Sequence, residues 1–302
     1  MGQNSSKNKK HNDNVKIIFA FIIIIIILCG VLYLVSTDNA PFSQYPSSSG
    51  LLKNQPVADG RQYSSPNSRI DSNSDIGPPP HGALPKLALI IDDIGFNRRY
   101  EEIIKINIPL TLAIIPFTRY SRNAALNGET AGMGIMLHLP MEPQGYPKSD
   151  PGKGALLTTM NRETIRKLTS EAIAAVPEVG GINNHMGSRF TEYSEGMKVV
   201  LKEIKKRGLF FIDSKTSANS TGFSIARTMK IKTAERAVFL DNIQTEDAIK
   251  KQLMEAIQEA KKNGEAIAIG HPYPSTINVI KNVAPLIEKE GVELVLASQI
   301  AK

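Results

Sequence analysis

The chain has one cysteine, no tryptophan, and only 6% aromatic residues among its 302. A single thiol, Cys29, rules out an intramolecular disulfide framework and any cysteine-clustered zinc site. The stability of a folded part must therefore come from a packed apolar core. Acids are also in short supply, with 29 against 36 lysines and arginines and a formal charge of +7. That excess does not mark a nucleic-acid binder, because the bases are interleaved with acids in EEIIK, VVLKEIKKRG and TEDAIKKQLMEAIQEAKK, as on solvated helix faces. No nucleic-acid partner is expected. The glycine-rich PGKGA lacks the spacing of a phosphate-binding loop.

What is present is unevenly distributed. Residues 17–35, Ile17 to Val35, contain no charge and include an isoleucine run from Ile22 to Ile27. At ~1.5 Å per residue such a helix nearly crosses a ~30 Å hydrocarbon core. A cleaved signal peptide is the closer alternative, but the apolar stretch is long for one and Tyr33-Leu34-Val35-Ser36-Thr37 offers no small-residue cleavage pattern. Ile26, Ile27 and Leu28 before Cys29 are unlike a lipoprotein signal, so Cys29 reads as apolar filler. Lys7, Lys9, Lys10 and Lys16 precede the segment and no base follows it as far as Gly50. Residues 1–16 are accordingly expected in the cytoplasm and the bulk of the chain outside it. The expected location is the inner (cytoplasmic) membrane, crossed once, with the C-terminal domain in the periplasm or otherwise outside the cytoplasm. Residues 36–85 are rich in Ser, Asn, Asp, Gly and Pro and read as a flexible linker, with His81 solvated in it.

From Lys86 the texture changes. Short apolar runs recur at Leu87–Ile91, Leu110–Ile115, Gly134–Leu137, Val179–Ile182, Leu209–Ile212, Ala237–Leu240 and Ala266–Ile269, each apolar on both alternations as in a parallel sheet covered on both faces. Helical patterns lie between most of them. One runs from Ser194 through Met197, Val200, Leu201 and Ile204 to Gly208; another starts after Thr245 as N-cap and stops near Gly264. The segment Met141 to Leu156 reads as a long loop. About seven strand-then-helix units over residues 86–302 predict an α/β barrel or doubly wound sheet.

The residue following each run carries chemistry: Asp92-Asp93, His138, Asn183-Asn184-His185, Asp213, Asp241-Asn242 and His271. In such folds the C-terminal strand edge is where active sites assemble. Any one of these residues could instead end a strand or cap a helix, and Asp213 and Asp241 are open to both readings. His138, before Pro140, and His185, beside Asn184 and Gly187, could each serve a loop hydrogen bond instead of a metal, and His271, before Pro272, reads equally as an acid, a ligand or a residue supporting one. Carboxylates and histidines together suit Zn²⁺ or a similar divalent ion, which lowers the pKa of water and supplies a nucleophile at neutral pH.

These residues also carry a resemblance. LALIIDDIGFN, LTLAIIP, GIMLHLPMEP, GGINNHMGSRFT, LFFIDSKTS, AVFLDN and AIAIGHP are similar to segments of the divergent polysaccharide deacetylase family, distant relatives of the NodB-type carbohydrate esterases, from about Lys86 to Gln299. The resemblance implies a distorted seven-stranded NodB-like (β/α) barrel with a zinc-type site. It implies Asp92 as catalytic base, Asp93 as metal ligand and His271 as general acid. The His-Ser/Thr-x-x-His motif of ordinary members is reduced to His138 in His138-Leu139-Pro140-Met141-Glu142, and we take His185 as the replacing ligand. Asp213, Asp241, Asn184 and Arg189 are expected to orient these groups or touch substrate, Arg189 through a carboxylate or hydroxyl. The Arg-x-x-Pro-Tyr motif is absent. The expected function is metal-dependent deacetylation of an envelope polysaccharide or peptidoglycan sugar; the alternatives are a non-catalytic glycan-binding or scaffolding module and a hydrolase of another bond.

Overall fold

A computed structural model describes residues 83–302. The expected cytoplasmic tail, membrane segment and all but the end of the linker lie outside the described residues. Among the described residues, no helix is long and apolar enough to cross a membrane.

Nine strands form one sheet: β1 Lys86–Ile94, β2 Thr111–Ile114, β3 Gly134–Met141, β4 Gly181–Met186, β5 Phe210–Asp213, β6 Thr233–Glu235, β7 Val238–Phe239, β8 Glu265–Gly270 and β9 Glu293–Val295. Eight run side by side in the order β6-β5-β4-β3-β2-β1-β8-β7, and β9 pairs with β1 off this path. All the paired neighbours are parallel. This corrects the expected seven-stranded barrel: the path has eight strands and is open, a half-barrel ending at β6 and β7. The two strands outside the expected runs, β6 and β9, are three residues each and partly exposed. Strand β6 leaves no continuous apolar stretch in the sequence, whereas β9 runs into the apolar Leu294-Val295-Leu296-Ala297.

The helices are α1 Tyr100–Ile103, α2 Ser121–Thr130, α3 Arg162–Ala175, α4 Ser194–Lys206, α5 Gly222–Thr228, α6 Glu246–Asn263, α7 Pro274–Lys281 and α8 Ala284–Lys289. Helix α6 has the expected punctuation. Thr245 accepts from the Ala248 N–H at 3.4 Å, and Gly264 closes the helix at φ +82°. A left-handed residue there costs glycine nothing. In α4, Met197, Val200, Leu201 and Ile204 form the buried stripe.

Strand alternation sorts the core into two layers. Leu87, Leu89 and Ile91 of β1 pack in the larger cluster with residues of the helices, including Leu201, Ile204, Leu253 and Ile257. Ala88 and Ile90 belong to a second cluster with Ala113, Met136, Ile212, Ile267, Ile269 and the C-terminal Val295, Ala297 and Ile300. The C-terminal segment is pinned by the Ala297 N–H, which donates to Thr111 Oγ1 at 3.1 Å. This second layer matters for function. Two residues further along each strand from Ile90, Met136 and Ile269 stand Asp92, His138 and His271, so the polar groups continue the same columns beyond the apolar floor.

Candidate metal centre

Alternation alone would send two adjacent aspartates to opposite faces. The register between β1 and β2 shifts between Ile91 and Ile94, and Asp93 sits at φ +56°. Aspartate tolerates this left-handed conformation better than most residues, and such strain tends to persist where a site over-determines it. The kink turns Asp93 back beside Asp92. Asp93 Oδ1 then lies 2.9 Å from His185 Nδ1 and 3.3 Å from His138 Nε2. The two ring nitrogens are 3.1 Å apart. These three residues form a group able to hold a metal ion.

The fit to a cation rests on three observations. Asp93 Oδ1 is buried with no hydrogen-bond partner, so the close nitrogens do not satisfy it in the ordinary way. The three donor atoms form a triangle with edges of 2.9, 3.1 and 3.3 Å. A tetrahedral ion with bonds of ~2.0–2.1 Å spaces its ligands ~3.3 Å apart. Third, the tautomer of His138 is set from behind. The Asn183 amide donates to Asp92 Oδ1 at 2.8 Å, which turns its carbonyl oxygen to His138 Nδ1 at 2.7 Å. An acceptor there keeps the proton on Nδ1 and leaves Nε2 a lone pair facing the centre. The residues fit a divalent ion with two nitrogen ligands and one oxygen ligand.

Around this triangle the charges are arranged by burial and by one another. Burial is the largest influence on Asp92 and holds its carboxyl above the ordinary range, against the pull of His138, His271 and Asn183. Burial acts in the same sense on Asp93, but there His185, His138 and His271 outweigh it and keep the carboxyl well below the ordinary range. Burial disfavours a charged His138, yet Asp92 and Asp93 raise its pKa. Protons and a metal ion would therefore compete for the same place.

His271 stands on the other side of the pair, its Nε2 3.9 Å from Asp93 Oδ2. Asp241 holds it at two points, its Oδ2 accepting from the backbone N–H at 2.6 Å and its Oδ1 from Nδ1 at 2.9 Å, while Thr276 Oγ1 also donates to Oδ2 at 2.8 Å. Phe239 stacks on the ring, with centroids 5.6 Å apart and planes 6° from parallel. Burial would lower the His271 pKa; the Asp241 hydrogen bond and charge, aided by Asp93 and Asp92, push it to about 9. The same surroundings push the neighbouring Tyr273 phenol up to about 12, so it stays neutral.

A stability consequence follows for the metal-free chain. The folded His271 pKa of about 9 exceeds its ordinary 6.5. Its contribution is therefore full below pH 6.5 and is lost as pH rises through 9. Thermal melts in chelator are expected to show Tm falling over that window. His271→Gln is expected to flatten the slope, and an unchanged slope would refute the assignment.

The other expected residues are placed differently. Asn184 points away from the triangle: it donates to Met186 O and Thr216 Oγ1 and accepts from the Ser214 N–H. The amide at the centre is Asn183, and the period-two spacing from His185 was the signal that could have found it. Asp213 orients no histidine; it accepts from Ser220 Oγ, the Phe223 N–H and the Lys215 N–H, fixing the loop into α5. Arg189 pairs with the buried Glu142, Nη1 to Oε1 at 3.2 Å, and Glu142 also accepts from Thr158. Asp241 supports His271 as described. Sequence reasoning also missed Arg236, whose guanidinium carbon lies 4.2 Å from the Phe239 ring centre.

With fold and site in view, comparison with known proteins places the chain in a class. The family model for divergent polysaccharide deacetylases matches residues 89–301, and the chain belongs to that family. The open parallel half-barrel is consistent with the NodB-like fold that the family resemblance implies. Among its relatives is the uncharacterised protein YibQ of Escherichia coli (strain K12), 35% identical over 199 residues, covering 66% of this chain and 62% of that protein. An uncharacterised protein of Haemophilus influenzae is 33% identical over 200 residues, covering 66% and 71%. The chain thus matches less than two thirds of the Escherichia coli protein. A crystal structure of the uncharacterised protein ATU2773 from Agrobacterium tumefaciens C58 superposes with a TM-score of 0.70 at 26% identity, covering 72% of this chain and 90% of that one.

Proposed function

We propose that the chain is a metal-dependent deacetylase acting on an acetylated cell-envelope polysaccharide or peptidoglycan sugar. On this reading residues 17–35 hold it at the cytoplasmic membrane, with the domain from residue 86 outside the cytoplasm. The observation that carries the proposal is the convergence of Asp93, His138 and His185 within 3.3 Å of one another, with Asp92 and His271 beside them. Asp93 Oδ1, His138 Nε2 and His185 Nδ1 would hold the ion, most simply Zn²⁺, which would act as a Lewis acid and lower the pKa of water.

Asp92 is the base on this reading. Its Oδ1 is committed to Asn183, which leaves Oδ2, 3.6 Å from His138 Nε2, to take a proton from the attacking water. Burial raises its pKa, which suits a group that must hold that proton for part of the cycle. His271 is the acid. Asp241 keeps it protonated at neutral pH and turns Nε2 to the Asp93 side, from which the proton would pass to the leaving amine or alkoxide oxygen.

The test uses the purified full chain loaded with zinc and a panel of N- and O-acetylated envelope glycans. Acetate release that stops with chelator and returns with zinc is expected. If the zinc-loaded chain releases none from the panel, the enzymatic reading fails. Retained glycan affinity in that case would favour the binding-module alternative.

A further inference from the structure

Three cations stand at the mouth of the half-barrel on successive loops after β4, β5 and β6. Two are spent on carboxylates: Arg189 on Glu142 at 3.2 Å and Lys215 on Glu235 at 2.9 Å. The third, Arg236, pairs with no carboxylate among the described residues. Its Nε donates to Ser214 O at 2.8 Å and one Nη to Lys215 O at 2.9 Å. Lys215, whose carbonyl is one of the two, is left-handed at φ +48°. The Phe239 ring beneath the guanidinium is the ring that stacks on His271. Arg236 is thus fixed at three points and one ring contact from the candidate acid.

A half-buried guanidinium with no direct ion pair among the described residues is costly, since its lost hydration is only partly returned by two neutral carbonyls. Burial in fact lowers its pKa, and the charges of Asp92, Asp213 and Glu235 oppose this only in part. Two of its five N–H groups are used, which leaves enough of the planar fork to grip a carboxylate. Arg99, also at the mouth, is held only by one 3.3 Å bond to Pro272 O and is less preorganised. The charges of Asp92, Asp213 and Glu235, felt at Arg236, favour a singly charged anion over a phosphate dianion.

We infer that Arg236 is an anion subsite and that the substrate is an acetylated sugar carrying a carboxylate, uronic or lactyl ether, close to the acetyl group removed. This rests on the deacetylase reading and narrows its substrate class. The step needs no new chemistry, because the carboxylate is bound and unchanged.

The experiment measures calorimetric affinity of the zinc-loaded full chain for an N-acetylated tetrasaccharide bearing carboxylates and for the same glycan with those groups converted to carboxamides. Wild type is expected to prefer the carboxylate form by at least roughly tenfold, as for a hydrogen bond to a charged group. Arg236→Gln is expected to bring that ratio to about one, and Arg236→Lys to an intermediate value, since an ammonium supplies charge without the fork. Zinc content of one ion per chain in each variant shows that the site still folds. Equal affinity for both glycans in wild type, an unchanged ratio in Arg236→Gln, or binding of neither glycan overturns the inference. Acetate release from neutral glycans alongside any of these results would leave the deacetylase reading standing. If Arg236 merely tuned Asp92, the variant would slow turnover of both glycans equally and leave the affinity ratio intact.

Discussion

Asp92→Asn is expected to lower kcat by ~10²–10⁴-fold, the usual contribution of a positioned acid or base, while zinc content stays at one ion per chain. The substitution is nearly isosteric. It leaves the amide of Asn183 an oxygen to donate to, so His138 keeps its tautomer and the triangle keeps its shape. What is lost is a carboxylate in a buried position, where burial raises its proton affinity. KM should move little, because that oxygen meets the reacting water and not the glycan. Full activity in the variant would remove Asp92 from the chemistry, and loss of zinc would make it a ligand instead of a base.

The second large effect concerns the ion. His138→Gln should weaken zinc binding beyond the ~10–100-fold that losing one supporting hydrogen bond causes, and Asn183→Leu should fall within that smaller range. The ordering follows from the geometry. His138 Nε2 is a corner of the triangle, whereas Asn183 only fixes the ring behind it. Because ligand binds the folded state alone, saturating zinc at ~100 times Kd should add ~2.7 kcal/mol to wild-type stability. That increment should vanish in His138→Gln. Competition titrations against a chelator check the order, and equal affinity in all three proteins would contradict it.

The parts of this account legible in the chain were those set by continuous apolar runs. Leu87–Ile91 and Ala266–Ile269 are buried throughout and announce β1 and β8. The residues at their ends, Asp92 and His271, are placed by the strands and so could be read with them. Edge strand β6 could not, since Thr233-Ala234-Glu235 is three residues long and carries no apolar signature; β9, which runs into Leu294-Val295-Leu296-Ala297, was within reach. Within the site, what escaped depended on exact backbone angles or on contacts between distant segments. That Asp93 meets the same histidine as Asp92 rests on one positive φ and a register shift. That Asp241, and not Asp213, supports the histidine rests on a pairing across 30 residues. Asp213 ends β5 and Asp241 stands two residues past β7, and only Asp241 has an imidazole opposite. Asn183 was within reach, because residues two apart on a strand share a face; Asn184 between them turns outward to the loop after β5. Arg236 is one base just before the Ala237–Leu240 run, and that it forms no ion pair among the described residues is a property of the fold alone.

The measurement that bears most directly on the metal centre is a crystal structure of the zinc-loaded chain with anomalous scattering recorded at the zinc edge. A single peak bonded to an Asp93 carboxylate oxygen, His138 Nε2 and His185 Nδ1, at ~2.0–2.2 Å, is the predicted result. A peak held by other side chains, or no ordered zinc between these three, would contradict the account.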